Sequence, residues 1–235
     1  MRRALSFAAI AAALGACYPA PILTPDGREK VVRASARQPR YLRVAVYAGP
    51  FFGDDARVLL ADRPASELVL SGAPPGATPV FDRVLPPGTP IFVDGVRFPT
   101  GSALWTRPEA TPRFQPWVVG RTAAEERAVV LLLSARPATS EDLLAEMGRV
   151  LTADDPAPAY RALPEFQRSA ILRKEVVEGM GREAVAMAWG YPDRIVVDDA
   201  GRSEEWSWSG GARRATFQDE RLVRSESRRA DPPRG

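Results

Sequence analysis

Histidine is absent from the 235 residues and cysteine occurs once. The first absence excludes Ser-His-Asp and Cys-His catalysis, and the two together exclude Cys/His zinc sites and any intramolecular disulfide. Lysine is nearly absent too: Lys30 and Lys174 are the only two, and the other thirty of the 32 basic residues are arginine. After the first sixteen residues no continuous apolar run exceeds six residues, the length of Ala128–Leu133, far short of the about 20 residues that a membrane-spanning helix needs. Proline and glycine, 23 and 18 residues, fall short of a low-complexity composition. What remains is 45% hydrophobic and 26% charged, ordinary for a globular chain of one or two domains.

Arg2 and Arg3 precede an apolar stretch, Ala4 to Leu14, broken only by Ser6. Residues 1–16 therefore read as a secretory signal peptide. The stretch Leu14-Gly15-Ala16-Cys17 resembles the bacterial lipobox. That resemblance implies cleavage before Cys17, a diacylated thiol and an acylated amine, with palmitate-like chains; the alternative is a buried cysteine after an ordinary signal. Each buried methylene contributes about 0.8 kcal/mol, so two chains suffice for stable anchoring. Tyr18 follows the cysteine where an aspartate would imply inner-membrane retention, so the resemblance implies the outer membrane, on its periplasmic face. Removing Arg2 and Arg3 leaves 30 basic residues against 29 acidic ones. With no Lys/Arg-rich run, no nucleic-acid partner is expected.

The mature chain reads as an α+β protein of two domains. Residues 17–40, rich in proline, predict a lipidated tether, with Val31-Val32 as a possible short strand. Residues 41–152 predict a β-rich domain with a C-terminal helix. Leu42, Val44 and Val46 alternate with polar or small residues, and further runs are Arg57–Leu60, Glu67–Leu70, Val80–Leu85, Trp117–Val119 and Ala128–Leu133. Asp94-Gly95 between two apolar triplets is a hairpin signal, and Pro86-Pro87-Gly88 suits a type II turn. About seven short strands indicate a small barrel or sandwich. The run Pro86 to Val93 is similar to a strand opening in bacterial SH3-like domains. Leu143, Leu144, Met147, Val150 and Leu151 share one helical face, with Thr139 or Ser140 as N-cap. Residues 153–163 predict a linker. Residues 164–227 predict two helices, one from Pro164 towards Gly179 with Phe166, Ala170, Ile171 and Val177 as its stripe, the other from Arg182 to Trp189. Strands follow at Ile195–Asp198, Glu204–Ser209 and Arg213–Phe217, with Leu222–Arg224 as a candidate fourth. Trp206 and Trp208, two apart, share one sheet face. Residues 228–235 predict a disordered tail.

Gly179-Met180, Val185, Trp189-Gly190, Pro192-Asp193, Glu205-Trp206-Ser207-Trp208 and Phe217-Gln218-Asp219 stand in an order that resembles the SmpA/OmlA, or BamE-like, domain of outer-membrane lipoproteins. The resemblance covers about a quarter of the chain and implies an α-α-β-β-β fold. It also implies association with other envelope proteins and no catalytic residues. Two positions depart from the pattern: Gly181 stands where the family has a threonine N-cap, and Glu220 where it has a turn glycine. The large β-rich region before the motif exceeds the family's minimal member.

Trp105, Arg107, Arg113, Phe114 and Trp117 crowd into thirteen residues among prolines. Trp and Arg dominate binding hot spots, so this loop is a candidate surface for a partner peptide or for glycan rings of peptidoglycan. The competing reading has Trp117 opening a core strand. Asp54-Asp55, Asp154-Asp155 and Asp198-Asp199 are paired carboxylates in predicted turns, where Asp serves its own backbone. No Asp-x-Asp-x-Asp-Gly calcium loop is present. Expected, then, is a non-enzymatic protein without cofactor or metal. Its partners would be the membrane, through lipid on Cys17, and other envelope proteins; a wall-binding module is the alternative, and a carboxylate-dependent hydrolase is third.

Overall fold

The computed structural model describes residues 23–35, 39–123, 125–133, 137–198 and 202–227. The expected signal peptide, Cys17, most of the expected tether and the expected tail lie outside the described residues. Those described form a mixed α+β structure of six α-helices and two sheets. The larger sheet has eight strands: β1 (Pro39–Leu42), β2 (Val46–Phe51), β3 (Asp54–Ala61), β4 (Arg83–Leu85), β5 (Pro90–Arg97), β6 (Trp117–Thr122), β7 (Glu125–Leu131) and β8 (Leu151–Thr152). Its order is β4-β2-β3-β7-β6-β5-β1-β8. Where the strand count predicts a barrel or sandwich, one mixed sheet forms, ended by β4 and β8.

The runs Val58 to Ala61 and Val129 to Leu133 explain that sheet. β3 and β7 pair in parallel, Val58 opposite Val129 and Leu60 opposite Leu131. Strands buried on both faces read as continuous apolar runs rather than alternating ones. Val58, Leu60, Val129 and Leu131 join the main core with Leu42, Val46, Ile91 and Val118. Leu59 and Val130 face the other way, onto Phe51, Trp117 and Leu132.

Two helices cover the main core: α1 (Pro25–Ser35), and α3 (Ser140–Val150), which follows the short α2 (Ser102–Thr106). Thr139 caps α3 as expected, in a box with Asp142 whose two hydrogen bonds are 2.9 and 3.1 Å. α1 corrects the tether reading of 17–40. Val31 is fully buried beside Leu143 and Met147, and Lys30 pairs with Glu141 of α3. Only one apolar stripe residue is buried, so the helical period was too faint to read.

Other expectations fail locally. Asp94-Gly95 makes no hairpin turn; β5 runs through it with a bulge opposite β6, between Val93 and Gly95. Gly95 takes φ +154°, and Asp94 pairs across the strands with Arg121 at 3.0 Å. Glu67–Leu70 is a 3-10 turn at Ala65–Glu67 followed by irregular chain, and of Val80–Leu85 only β4 is strand. The Pro86 turn does form, with Gly88 at φ +85° and Thr89 donating to the Pro86 carbonyl.

The expected linker holds α4 (Ala157–Ala162). Beyond it come α5 (Glu165–Leu172), α6 (Arg182–Trp189) and the second sheet: β9 (Arg194–Val197), β10 (Ser203–Trp208), β11 (Arg213–Gln218) and β12 (Arg221–Ser227), in order β12-β11-β10-β9. Trp206, Trp208, Phe217 and Leu222 lie buried with Ala170, Ile171, Val185 and Trp189 of the helices. Trp189 meets Trp208 edge-on, rings 5.3 Å apart. α6 occupies its expected span, with Gly181 as an N-cap that makes no side-chain bond and Gly190 at φ +83° closing the helix. α5 is shorter than expected: it stops at Leu172, and Phe166 is 59% exposed instead of lying on the buried stripe. Glu220, in the place of a turn glycine, takes φ +67° beside Asp219 at +46°.

Candidate functional site

The two sheets meet through buried polar side chains. α5 ends in a Schellman motif: the Glu175 amide donates to the Ala170 carbonyl and the Lys174 amide to the Ile171 carbonyl. Glycine is the usual residue at the left-handed position, yet here Lys174 takes φ +57°. Its side chain shows why a lysine stands there. The ammonium donates to the carbonyls of Ala45 and Asp62 at 2.7 and 3.1 Å, and lies 5.1 Å from the Tyr47 ring. It thereby ties α5 to both ends of the β2–β3 region. Burial, helped by the charge of Arg213 and opposed by Asp62 and Glu67, lowers its pKa to about 7.

Ion pairs complete the junction. Arg63 grips Asp193 in bidentate fashion at 2.7 and 3.1 Å, and Arg149 reaches Asp193 and the Tyr191 carbonyl. Arg213 pairs with Glu67 at 2.9 Å and lies over the Trp189 and Trp208 rings. Burial alone would raise Asp193, but the hydrogen bond and charge of Arg63, with Arg149, outweigh it and hold that carboxyl below its ordinary value.

The loop singled out in the sequence divides in two. Trp117 is only 4% exposed and donates from its indole to the Pro112 carbonyl. Arg107, 6% exposed, stacks on Trp117 at 3.9 Å and donates to the carbonyls of Arg97, Arg113 and Gln115. Arg113 holds the Leu104 carbonyl, and Phe114 is half-buried against Gly72. The cluster therefore works first as the loop's own scaffold, with Trp105, 72% exposed, outside it. It is not an open platform of paired rings.

Arg107 and Trp117 nonetheless form a wall of a cleft of about 600 Å³. Cross-strand register sets its floor: Arg97 lies opposite Trp117, Val119 opposite Val130, and Arg57 on β3 presents its guanidinium 5.4 Å from the Trp117 ring. Val32 and Arg28 of α1 line another side. Burial, and next the charge of Arg57, lower the Arg107 pKa to about 10.

The second exposed feature is β9. Among the described residues it pairs only with β10, which leaves its outer edge open, and all four of its residues are exposed. Ile195, Val196 and Val197 are 51%, 46% and 50% exposed. Ile195 lies opposite Trp206 and Val197 opposite Glu204, which extends the tryptophan face past its helical cover, while Val196 lies on the other face opposite Glu205.

The paired carboxylates serve their loops. Asp54 accepts from Ala56 and Arg57, Asp155 from Ala157, and Asp198 from Arg202 and Ser203; Asp199 lies outside the described residues. Among the described residues no cluster of metal-binding side chains occurs, and no helix is long and apolar enough to cross a membrane. Sequence reasoning missed the contacts of Lys174 with Ala45 and Asp62 and of Arg63 with Asp193, because each spans more than 100 residues. Comparison of the chain with protein-family models, with curated proteins and with solved structures found no match.

Proposed function

We propose that this chain is a lipid-anchored lipoprotein of the bacterial envelope that acts by binding other proteins, its α-α-β-β-β unit serving as a BamE-like interaction module. The observation that carries the reading is β9, an edge strand whose outer side is open among the described residues and which carries three exposed branched aliphatic residues. Natural proteins blunt such edges with charge, proline or cover, because an open edge templates another strand. An edge left apolar on both faces suits a partner that adds a strand, with side chains gripping both sides. The lipobox-like Leu14 to Cys17 would hold the module at the periplasmic face of the outer membrane, where an accessory role in outer-membrane protein assembly or envelope integrity fits. Association, rather than catalysis, is the chemistry of this reading.

A photo-crosslinking residue at position 196, in the native envelope, tests it against the same residue at position 226 on the opposite edge. A discrete adduct with one envelope protein from 196 alone, lost in Ile195→Lys/Val197→Lys, is the expected result; a β-barrel assembly component in that adduct would specify the accessory role. Equal adducts from both edges would defeat the edge-strand reading. Mass analysis of the mature N-terminus should show acyl chains on Cys17, and Cys17→Ala should leave the membrane fraction.

A further inference from the structure

We propose that the cleft around Arg57, Arg97 and Trp117 binds an amphiphilic anion: a carboxylate or phosphate head on an alkyl chain. Its volume of about 600 Å³ lies within the roughly 300–1,000 Å³ of small-molecule sites. The charge of its lining is one-sided. Arg28, Arg57, Arg97 and Arg107 line it, while Glu29, the one carboxylate among its described lining residues, already pairs with Arg33 at 3.2 Å. Arg57 is neutralised by Asp54 at the strand end, but Arg107 spends its donors on carbonyls, which satisfy its hydrogens and leave its charge. The charge that Arg107 keeps, with those of Arg28 and Arg97 in the same lining, attracts an anion.

The rest of the lining is apolar. Phe98 and Val119 continue the Trp117 wall, and Val32, 40% exposed, stands on the α1 side. A bare inorganic anion would leave that wall wet, and a neutral chain would leave the arginines uncompensated. A head and a chain together satisfy both. The inference does not rest on the lipid anchor or on β9, so its failure leaves the interaction reading untouched.

The test uses the mature chain with Cys17→Ala, titrated calorimetrically with laurate and with dodecyl phosphate. Inorganic phosphate and dodecyl maltoside serve as head-only and chain-only probes. Saturable one-to-one binding of both anionic amphiphiles is expected, weaker by about tenfold or more in Arg97→Glu, where a charge-assisted contact is lost. Val32→Asp should weaken it as well, and both positions are exposed enough to leave the melting temperature unchanged. Flotation with phosphatidylglycerol vesicles but not phosphatidylcholine vesicles, abolished by Arg97→Glu, would identify a bilayer lipid as the source; monomer binding without flotation would identify a free amphiphile. Absence of saturable binding, unchanged affinity in both variants, or dodecyl maltoside binding as tightly as dodecyl phosphate would each overturn the proposal.

Discussion

Lys174 makes the stability of this fold rise with pH through the neutral-to-alkaline range, opposite to a lysine whose pKa is raised by an ion pair. Its folded pKa is about 7 and the ordinary value is 10.5. Between these values the unfolded chain holds a proton that the folded chain has shed, so stability rises with pH. Each pH unit in that window contributes about 1.4 kcal/mol, so the gain from pH 7 to about 9.5 is about 3 kcal/mol after allowing for half-titration at the start. Below pH 7 both states bind the proton and the contribution is flat. The groups facing the ammonium are Asp62, Glu67, Arg213 and Tyr47. Burial, the largest influence on Tyr47, raises its pKa, so its opposing effect begins only near pH 10. Urea unfolding of the wild type and of Lys174→Met at pH 7 and 9.5 measures the difference. The variant should lose stability at both pH values, since two carbonyls lose a donor. It should also lack the wild type's rise. Equal slopes in the two proteins would refute the burial argument, whatever the size of the overall loss.

Three further outcomes follow from the packing. Trp208→Ala removes a side chain 1% exposed in the core of the second sheet and should cost about 3–5 kcal/mol by chemical denaturation. Glu220→Gly relieves a left-handed backbone and loses only the exposed pair with Arg182, so the protein should gain up to about 1 kcal/mol, read as a higher melting temperature. Asp193, held low by Arg63, contributes stability that is present above the ordinary carboxylate pKa and lost as pH falls through its folded value; Asp193→Asn should be less stable at neutral pH and show a flatter acid limb in the same assay.

Much of the fold was legible where local chemistry and burial agree. α3 and α6 appear at their expected spans because each carries an apolar stripe with one terminal signal: Thr139 as N-cap for one, Gly190 before Pro192 as the stop for the other. Trp206 and Trp208 share a buried face because strand alternation admits no other arrangement once one of them is inside. The candidate binding loop was legible as a cluster but not as a site. Arg107 and Trp117 stack on each other, and nothing in their spacing says whether a guanidinium will face carbonyls or solvent.

The sequence by itself determined the local elements of the second sheet's unit, the Pro86 turn, the absence of histidine, disulfide and zinc chemistry, and the lipobox-like start. Only the tertiary structure decided that residues 25–35 pack as a helix, that Asp94-Gly95 bulges within a continuous strand, and that a lysine ends α5 in place of glycine. Each of these is imposed by a contact distant in sequence. α1 needs the cover of Leu143 and Met147, the bulge needs β6 alongside, and Lys174 needs the carbonyls of Ala45 and Asp62. Local propensity is worth about 1 kcal/mol or less at any of these positions, and burial or a desolvated hydrogen bond contributes more than that, so the distant partner decides the outcome.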